Sequence, residues 1–309
     1  MPLPCYLRPA RLFISLSLEI LLSWDQRTSW PHLPPFLPSS PMADKPIVVR
    51  SVWSNNLDSE FELIREIIDH FPFVSMDTEF PGVVFHPLAE DLRNPAAAYS
   101  NIKSNVDVLK LIQVGLTLGD ADGNLPDLGT ENRYIWEFNF SDFDLARDSH
   151  SSKSIAMLSQ QGIDFDRNRE TGVESVKFGE LLTSSGIVCN ESVTWIMFHC
   201  AYDFAYLVKI LSGESLPEKL DDFRNLVRVF FGPRVYDLKY ISKFCEPLHG
   251  GLNRVAETLG VERVVGKSHQ AGSDSLLTWQ VYLKMKEVYC SEDFDLEKYA
   301  GALYSLEVF

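Results

Sequence analysis

The chain has 309 residues, 45% hydrophobic and 12% aromatic, which supplies ample apolar surface for a packed core and excludes wholesale disorder. No run approaches about 18 consecutive apolar residues, so an ordinary membrane-spanning helix is not expected. The net charge of −15, from 28 basic and 43 acidic side chains, argues against broad phosphate gripping, which needs a basic surface; carboxylates gathered in one place suit Mg²⁺ instead. The five cysteines (5, 189, 200, 245 and 290) are odd in number and form no CxxC, so they read as free thiols of a reducing compartment, with neither a disulfide framework nor a zinc finger.

Residues 1–41 stand apart. They hold eight of the 17 prolines, and Arg8 and Arg11 precede an apolar stretch over 12–24 that resembles a signal or transit peptide. Glu19 interrupts that stretch, no small-residue cleavage site follows, and Met42 opens a segment that reads as an ordinary start. Residues 1–45 are therefore expected to be a non-core extension from an upstream start codon, with an organellar targeting segment as the alternative, and 46–309 a single domain. Leu57, Phe61, Ile64, Ile67, Ile68 and Phe71 recur at helical spacing and predict a helix over 57–70, capped by Asn55 or Asn56. Phe73 to Phe80 is strand-like and stops at Pro81-Gly82. Leu109–Leu118 and Tyr134–Phe140 predict a hairpin with a long Asp/Gly/Asn-rich loop. Trp195 to Cys200 reads as a buried strand running into a helix over 202–211. A strong helix is expected at 274–288, and weaker ones near 176–184 and 237–245. Early strands and later helices favour a mixed α/β sheet flanked by helices.

Asp-x-Glu occurs three times, at 58/60, 77/79 and 295/297, against about 1.5 expected by chance, so the pattern alone is weak. Asp58 and Glu60 open a helix, where acids suit the macrodipole; Asp295 and Glu297 lie in a polar stretch. Asp77 and Glu79 alone sit in an apolar strand, on one face of it, where two unpaired carboxylates are costly and call for a cation. Asp203 starts the helix after the buried strand, a position that also suits a solvated cap. In His269-Gln-Ala-Gly-Ser-Asp274 the acid again begins a helix, and the histidine, five residues earlier, can lie beside a water and take its proton.

Asp77-x-Glu79, Asp203 and His269-x-Ala-x-x-Asp274 together resemble the DEDD exonucleases, in the subclass with a histidine base, whose fold is the ribonuclease-H-like mixed sheet. Asp-Thr-Glu-Phe-Pro-Gly (77–82), Tyr-Asp-Phe-x-Tyr-Leu (202–207), Tyr-Asp-Leu-Lys-Tyr (236–240), Gly-Gly-Leu (250–252), His-Gln-Ala-Gly-Ser-Asp-Ser-Leu-Leu (269–277) and Val-Trp-Ser-Asn-Asn-Leu (52–57) resemble the Caf/Pop-type deadenylase, the nuclease subunit of the Ccr–Not complex. The resemblance runs from about 47 to 303, with a plant-type flavour at 296–304. One departure is Cys200-Ala201 and Ala205, small residues where the family leads one to expect Ser/Gly-like residues and Gly. The resemblance implies that Asp77, Glu79, Asp203 and Asp274 hold two divalent cations, Mg²⁺ or Mn²⁺, that His269 is the base, and that the reaction is 3′→5′ two-metal-ion hydrolysis of poly(A) tails releasing 5′-AMP. Implied partners are single-stranded RNA, the large Not scaffold and a second deadenylase, in cytoplasm and nucleus, with no membrane. Other readings are an exonuclease on other single-stranded nucleic acid and a catalytically silent scaffold subunit; intact acids and histidine disfavour the latter. Phe80 either stacks a terminal base or packs in the core, His199 makes a structural hydrogen bond, and Asp237 is a cap or support rather than a metal ligand. Phe223, Phe230, Phe231 and Tyr236 read as core.

Overall fold

The computed structural model describes residues 45–86, 94–289 and 296–308; the proline-rich segment 1–41, Asp295, Cys5 and Cys290 fall outside them. Eight strands, β1 (Ile47–Val52), β2 (Phe73–Glu79), β3 (Gln113–Gly119), β4 (Arg133–Asn139), β5 (Thr194–Met197), β6 (Val235–Asp237), β7 (Ala302–Leu303) and β8 (Glu307–Val308), form one mixed sheet in the order β1-β4-β3-β2-β5-β6-β7-β8. The expected hairpin is present: β3 and β4 pair antiparallel with Gln113 opposite Asn139. β2 is central, antiparallel to β3 and parallel to β5. Period-two alternation serves both faces of the sheet. Along β5, Trp195 and Met197 join one apolar cluster and Ile196 the other.

The helices are α1 (Leu57–Ile67), α2 (Pro95–Val106), α3 (Ser152–Gln161), α4 (Phe165–Thr171), α5 (Ser175–Thr183), α6 (Ala201–Ser212), α7 (Leu220–Phe231), α8 (Leu238–Ile241, continued by a 3₁₀ turn over Ser242–Phe244), α9 (Leu252–Thr258) and α10 (Ala271–Tyr289). α1 buries Leu57, Phe61, Ile64 and Ile67, the face expected of it. Its N-terminus differs from expectation: Asn56 precedes the helix, but its Oδ1 accepts the Trp53 N–H at 2.8 Å and leaves α1 without a side-chain cap. Sequence reading left β1, β6, β7, β8, α2, α3, α4, α7 and α9 unassigned. In α7 the aromatic residues are core on a helical face, with Phe223, Val227 and Phe231 buried four residues apart, while Phe230 is only partly buried.

α10 is buried nearly all round over its first three turns, as a helix packed into an α/β interior must be. Its N-terminus lies hard against β3. A Cβ on Gly115 would stand 1.9 Å from the Ala271 carbonyl oxygen, so no larger residue fits. Small hydroxyls complete the contact: Ser75 Oγ donates to the Ser275 carbonyl at 2.9 Å, and Ser275 Oγ lies 2.9 Å from Thr117 Oγ1. Gly115 is opposite Asp77 in the ladder, so this close approach sets the helix N-terminus over the centre of β2. Among the described residues, no helix is long and apolar enough to cross a membrane.

Because backbone cannot move aside as a flexible side chain can, Gly115→Ala is expected to lower unfolding free energy by about 2 kcal/mol, the middle of the range for overpacking. Urea denaturation checks this; an unchanged midpoint refutes the close-approach argument.

Candidate active site

Four elements each deliver one or two polar groups to a single place. β2 presents Asp77 and Glu79 on the same face, two residues apart. Between them Thr78 turns its hydroxyl to Asp203, donating Oγ1–H to Oδ1 at 2.6 Å. Asp203 lies in the first turn of α6. The turn into that helix is held by Asp237, fully buried at the end of β6. The Asp237 carboxylate accepts the backbone N–H groups of His199 (2.8 Å), Cys200 (3.4 Å), Lys239 (3.0 Å) and Tyr304 (2.9 Å). Charge-assisted bonds to four amides satisfy a buried carboxylate without a cation, so Asp237 is a support, as its sequence context suggests. His199 takes a left-handed φ of 62° at this turn; its backbone N–H makes the hydrogen bond to Asp237, while its ring meets the Tyr304 ring edge-on at 4.9 Å.

Asp274 stands in the first turn of α10. Its Oδ1 accepts from Arg263 at 2.5 Å and its Oδ2 from the His269 backbone N–H at 2.7 Å. The second bond fixes the preceding loop, where His269 also adopts a left-handed φ of 62°. The His269 ring is thereby brought to the metal-binding face: its Nδ1 lies 3.8 Å from Glu79 Oε1. One ligand atom each from Glu79, His269 and Asp274 lie within 4.8 Å of one another.

Electrostatics identify what this arrangement lacks. The Asp77 carboxyl is held well above the usual range, first by burial and then by repulsion from Asp274, Asp203 and Glu79. Glu79 is likewise pushed well up by burial, Asp274, Asp203 and Glu137. Asp203 rises to about 7, mainly through burial, against the opposing pull of the Thr78 hydrogen bond. Arg263 is the guanidinium that partly offsets the cluster, through its ion pair with Asp274. Four mutually repelling carboxylates with one shared arginine are the signature of a site built for added positive charge, and an oxygen-only set matches hard divalent ions such as Mg²⁺ or Mn²⁺ rather than zinc. The residues present therefore fit the two-cation requirement.

The cluster opens into a cavity of about 600 Å³ lined by Asp77, Glu79, Asp274 and His269, and also by Phe80, Met157, Phe198, Leu252, Asn253 and Arg254. Phe80 packs as a core residue would, its ring 5.2 Å from those of Tyr202 and Tyr206, and it also lines the cavity. The five polar residues singled out by sequence thus converge. Sequence reading did not find Thr78, Arg263, Glu137 or the wall from Leu252 to Arg254. Thr78 was legible in principle as the residue between the paired acids. Arg263 reaches Asp274 across a loop, with no local pattern to mark it. Glu137 arrives from β4, where its carboxylate accepts the Gly272 N–H at 3.2 Å and is raised by burial.

A central strand bearing paired acids, completed by two helix-start aspartates and a histidine at a cavity mouth, defines the class of metal-dependent nucleases that cleave phosphodiesters. Comparison with known proteins narrows this. The model of the CAF1 family ribonucleases matches residues 52–180 and 184–282, and the chain belongs to that family. It is 52% identical over 268 residues to "Probable CCR4-associated factor 1 homolog 7" of Arabidopsis thaliana, covering 86% of this chain and 96% of the relative. It is 42% identical over 258 residues to the Schizosaccharomyces pombe "Poly(A) ribonuclease pop2", covering 84% of this chain and 75% of the relative. The S. pombe Pop2p structure in its Mg²⁺- and Mn²⁺-bound form superposes with a TM-score of 0.77, over 84% of this chain and 99% of that one. A yeast CAF1 co-crystallised with the NOT1 MIF4G domain gives a TM-score of 0.70 at 33% identity, over 83% of this chain and 96% of that one.

Removing one charge from the cluster relieves repulsion, so Glu79→Gln in chelator is expected to melt a few degrees above chelated wild type, about 1 kcal/mol at this chain length. Millimolar Mg²⁺ or Mn²⁺ raises the melting temperature of wild type through linkage, and the variant loses most of that increment. Calorimetry with and without metal checks both; a wild-type melting temperature indifferent to metal refutes the assignment.

Proposed function

We propose that the chain is a 3′→5′ exoribonuclease that shortens mRNA poly(A) tails and releases 5′-AMP. The observation that carries this reading is the convergence of Asp77, Glu79 and Asp274 on one cavity beside His269, with Asp203 joined to them behind the cavity wall through Thr78, in a chain 42% identical to a poly(A) ribonuclease. Asp77, Glu79, Asp203 and Asp274 hold the two divalent cations. When bound, the cations supply Lewis acidity, lowering the pKa of the attacking water and stabilising the charge that develops on the departing 3′ oxygen. His269 accepts the water's proton on its imidazole. Its Nδ1 lies 3.8 Å from Glu79 Oε1. Water adds to phosphorus, the bond to the 3′ oxygen of the penultimate nucleotide breaks, and the terminal nucleotide leaves with a 5′-phosphate. The aromatic and apolar cavity wall of Phe80, Phe198 and Leu252 accepts a single unpaired base, which fits a chain end rather than a duplex. The NOT1-bound yeast relative supports docking of this chain on a NOT-type scaffold.

The decisive assay gives the protein 5′-labelled RNA ending in a stretch of adenosines, with Mn²⁺, Mg²⁺ or EDTA. A ladder is expected that stalls at the tail boundary, disappears in EDTA and disappears with Asp77→Ala. A ladder running through non-adenosine sequence retains the nuclease and removes the poly(A) preference; intact RNA under every condition favours a silent scaffold subunit. His269→Asn is expected to lower kcat by about 10²- to 10⁴-fold, the usual worth of a positioned base, with little change in KM. Loss confined to KM would show that His269 binds substrate and moves no proton.

A further inference from the structure

One rim of the catalytic cavity continues as a strip of cations and aromatic rings that the chemistry does not use. Phe198 lines the cavity. Lys239 Nζ stands 5.9 Å from the Phe198 ring, donates to the carbonyl of Gly250 beside cavity-lining Gly251, and lies 5.5 Å from the Tyr304 ring. One helical turn on, Lys243 Nζ is 4.6 Å from the same Tyr304 ring and 5.0 Å from that of Tyr240. Tyr240 meets Phe244 at 5.5 Å, and Phe244 is 49% exposed.

The electrostatics of this strip are unusual for the molecule. Residues 233–254 carry four basic residues against two acidic ones in a chain of net charge −15, and one of those acids, Asp237, is buried and consumed by four amides. Two ammonium groups share the Tyr304 ring, where like charges repel. Among the described residues, no carboxylate forms an ion pair with exposed Lys243. A structural role accounts for Lys239, which anchors the Gly250 carbonyl; it does not account for Lys243. What the strip lacks is an anion; Tyr304 already meets His199 edge-on and Phe244 packs one side on Tyr299 at 4.8 Å, yet Phe244 remains 49% exposed and leaves ring surface open for stacking. Alternating phosphates and unstacked bases supply both, and the strip is continuous with the cavity that takes the chain end.

We propose that this strip is the path of the RNA upstream of its 3′ end, with phosphates at Lys239 and Lys243 and bases against Tyr304, Tyr240 and Phe244. The proposal rests on the exoribonuclease reading and adds to it the track by which the body of the tail is held. Such grooves combine backbone-tracking charge with sequence-tolerant stacking.

The test uses the full chain with Mg²⁺ and 5′-labelled oligoadenylates of about three and about twenty nucleotides, the shorter being held by the cavity alone. Lys243→Glu is expected to lower kcat/KM on the long oligomer about three- to tenfold more than on the short one, and Phe244→Ala to act in the same direction. Lys243→Arg retains the wild-type ratio. Lys177→Glu on α5, where Lys177 pairs with Asp58 and Glu180, also keeps it as a charge-matched control. Fluorescence anisotropy, which needs no turnover, should show the salt slope of long-oligomer binding reduced by about one in Lys243→Glu. Equal losses on both oligomers, or no loss on either, overturn the proposal. So does a Lys243→Glu defect confined to capture of a NOT-type scaffold domain, which would make the strip a protein interface. Wild type that binds the long oligomer through Lys243 yet cleaves neither length would sink the exoribonuclease reading and leave the track standing.

Discussion

Mutual repulsion among buried carboxylates is the constraint around which this molecule is arranged. Burial raises the proton affinity of Asp77 and Glu79 most, and repulsion from Asp274 and Asp203, with Glu79 acting on Asp77 as well, adds to it. A flexible assembly of these residues would spread apart in water. Here they are carried by a central strand and by the first turns of two long helices, elements that cannot yield without disrupting the sheet. The strain is thereby stored at the site until cations are supplied, which is how functional sites trade stability for chemistry.

The supports that hold the acids in place are mostly residues with no chemistry of their own. Gly115 lets the N-terminus of α10 descend onto β3 and so brings Asp274 over β2. Asp237 gathers four backbone N–H groups from three chain segments and fixes the turn that delivers Asp203. Thr78 binds Asp203 from the strand that carries the first two acids, and Arg263 ties Asp274 to Asn253 and Ser273. Gly115 contributes only an absent side chain, Thr78 a single hydrogen bond and Arg263 a single countercharge, and Asp237 spends its own charge on backbone amides, so none saturates the cluster.

The acidic body has a consequence for substrate. A chain with this charge gains little from the diffuse field that draws nucleic acid to basic proteins. Affinity must come from interactions gathered at the site and its rim rather than from the field of the whole chain. A yeast CAF1, 33% identical to this chain, has been crystallised with the NOT1 MIF4G domain.

Legibility in the sequence followed the density of local pattern. Asp77 and Glu79 were readable because two acids in an apolar strand are costly anywhere; Asp203, His269 and Asp274 became readable only in combination, through the resemblance they complete. α1, α6 and α10 announced themselves by spacing, within a few residues at each end. β6 and the last two strands are two or three residues long, and β1, six residues long, is an edge strand; all are stabilised by neighbours distant in sequence, so local propensity carried little of their signal. α7 was mistaken for scattered core aromatics because its helical spacing and its buried rings are the same residues. Amino-acid order by itself marked the mixed α/β class and the costly acid pair Asp77 and Glu79, since charge and periodicity are local properties, and offered Asp203, His269 and Asp274 as candidates through the resemblance they complete. Only the tertiary structure decided that Gly115 admits α10, that Arg263 is the site's countercharge, that Asp237 is a clamp and that a cationic aromatic strip leaves the cavity, because each depends on distances between segments tens of residues apart that no local pattern encodes.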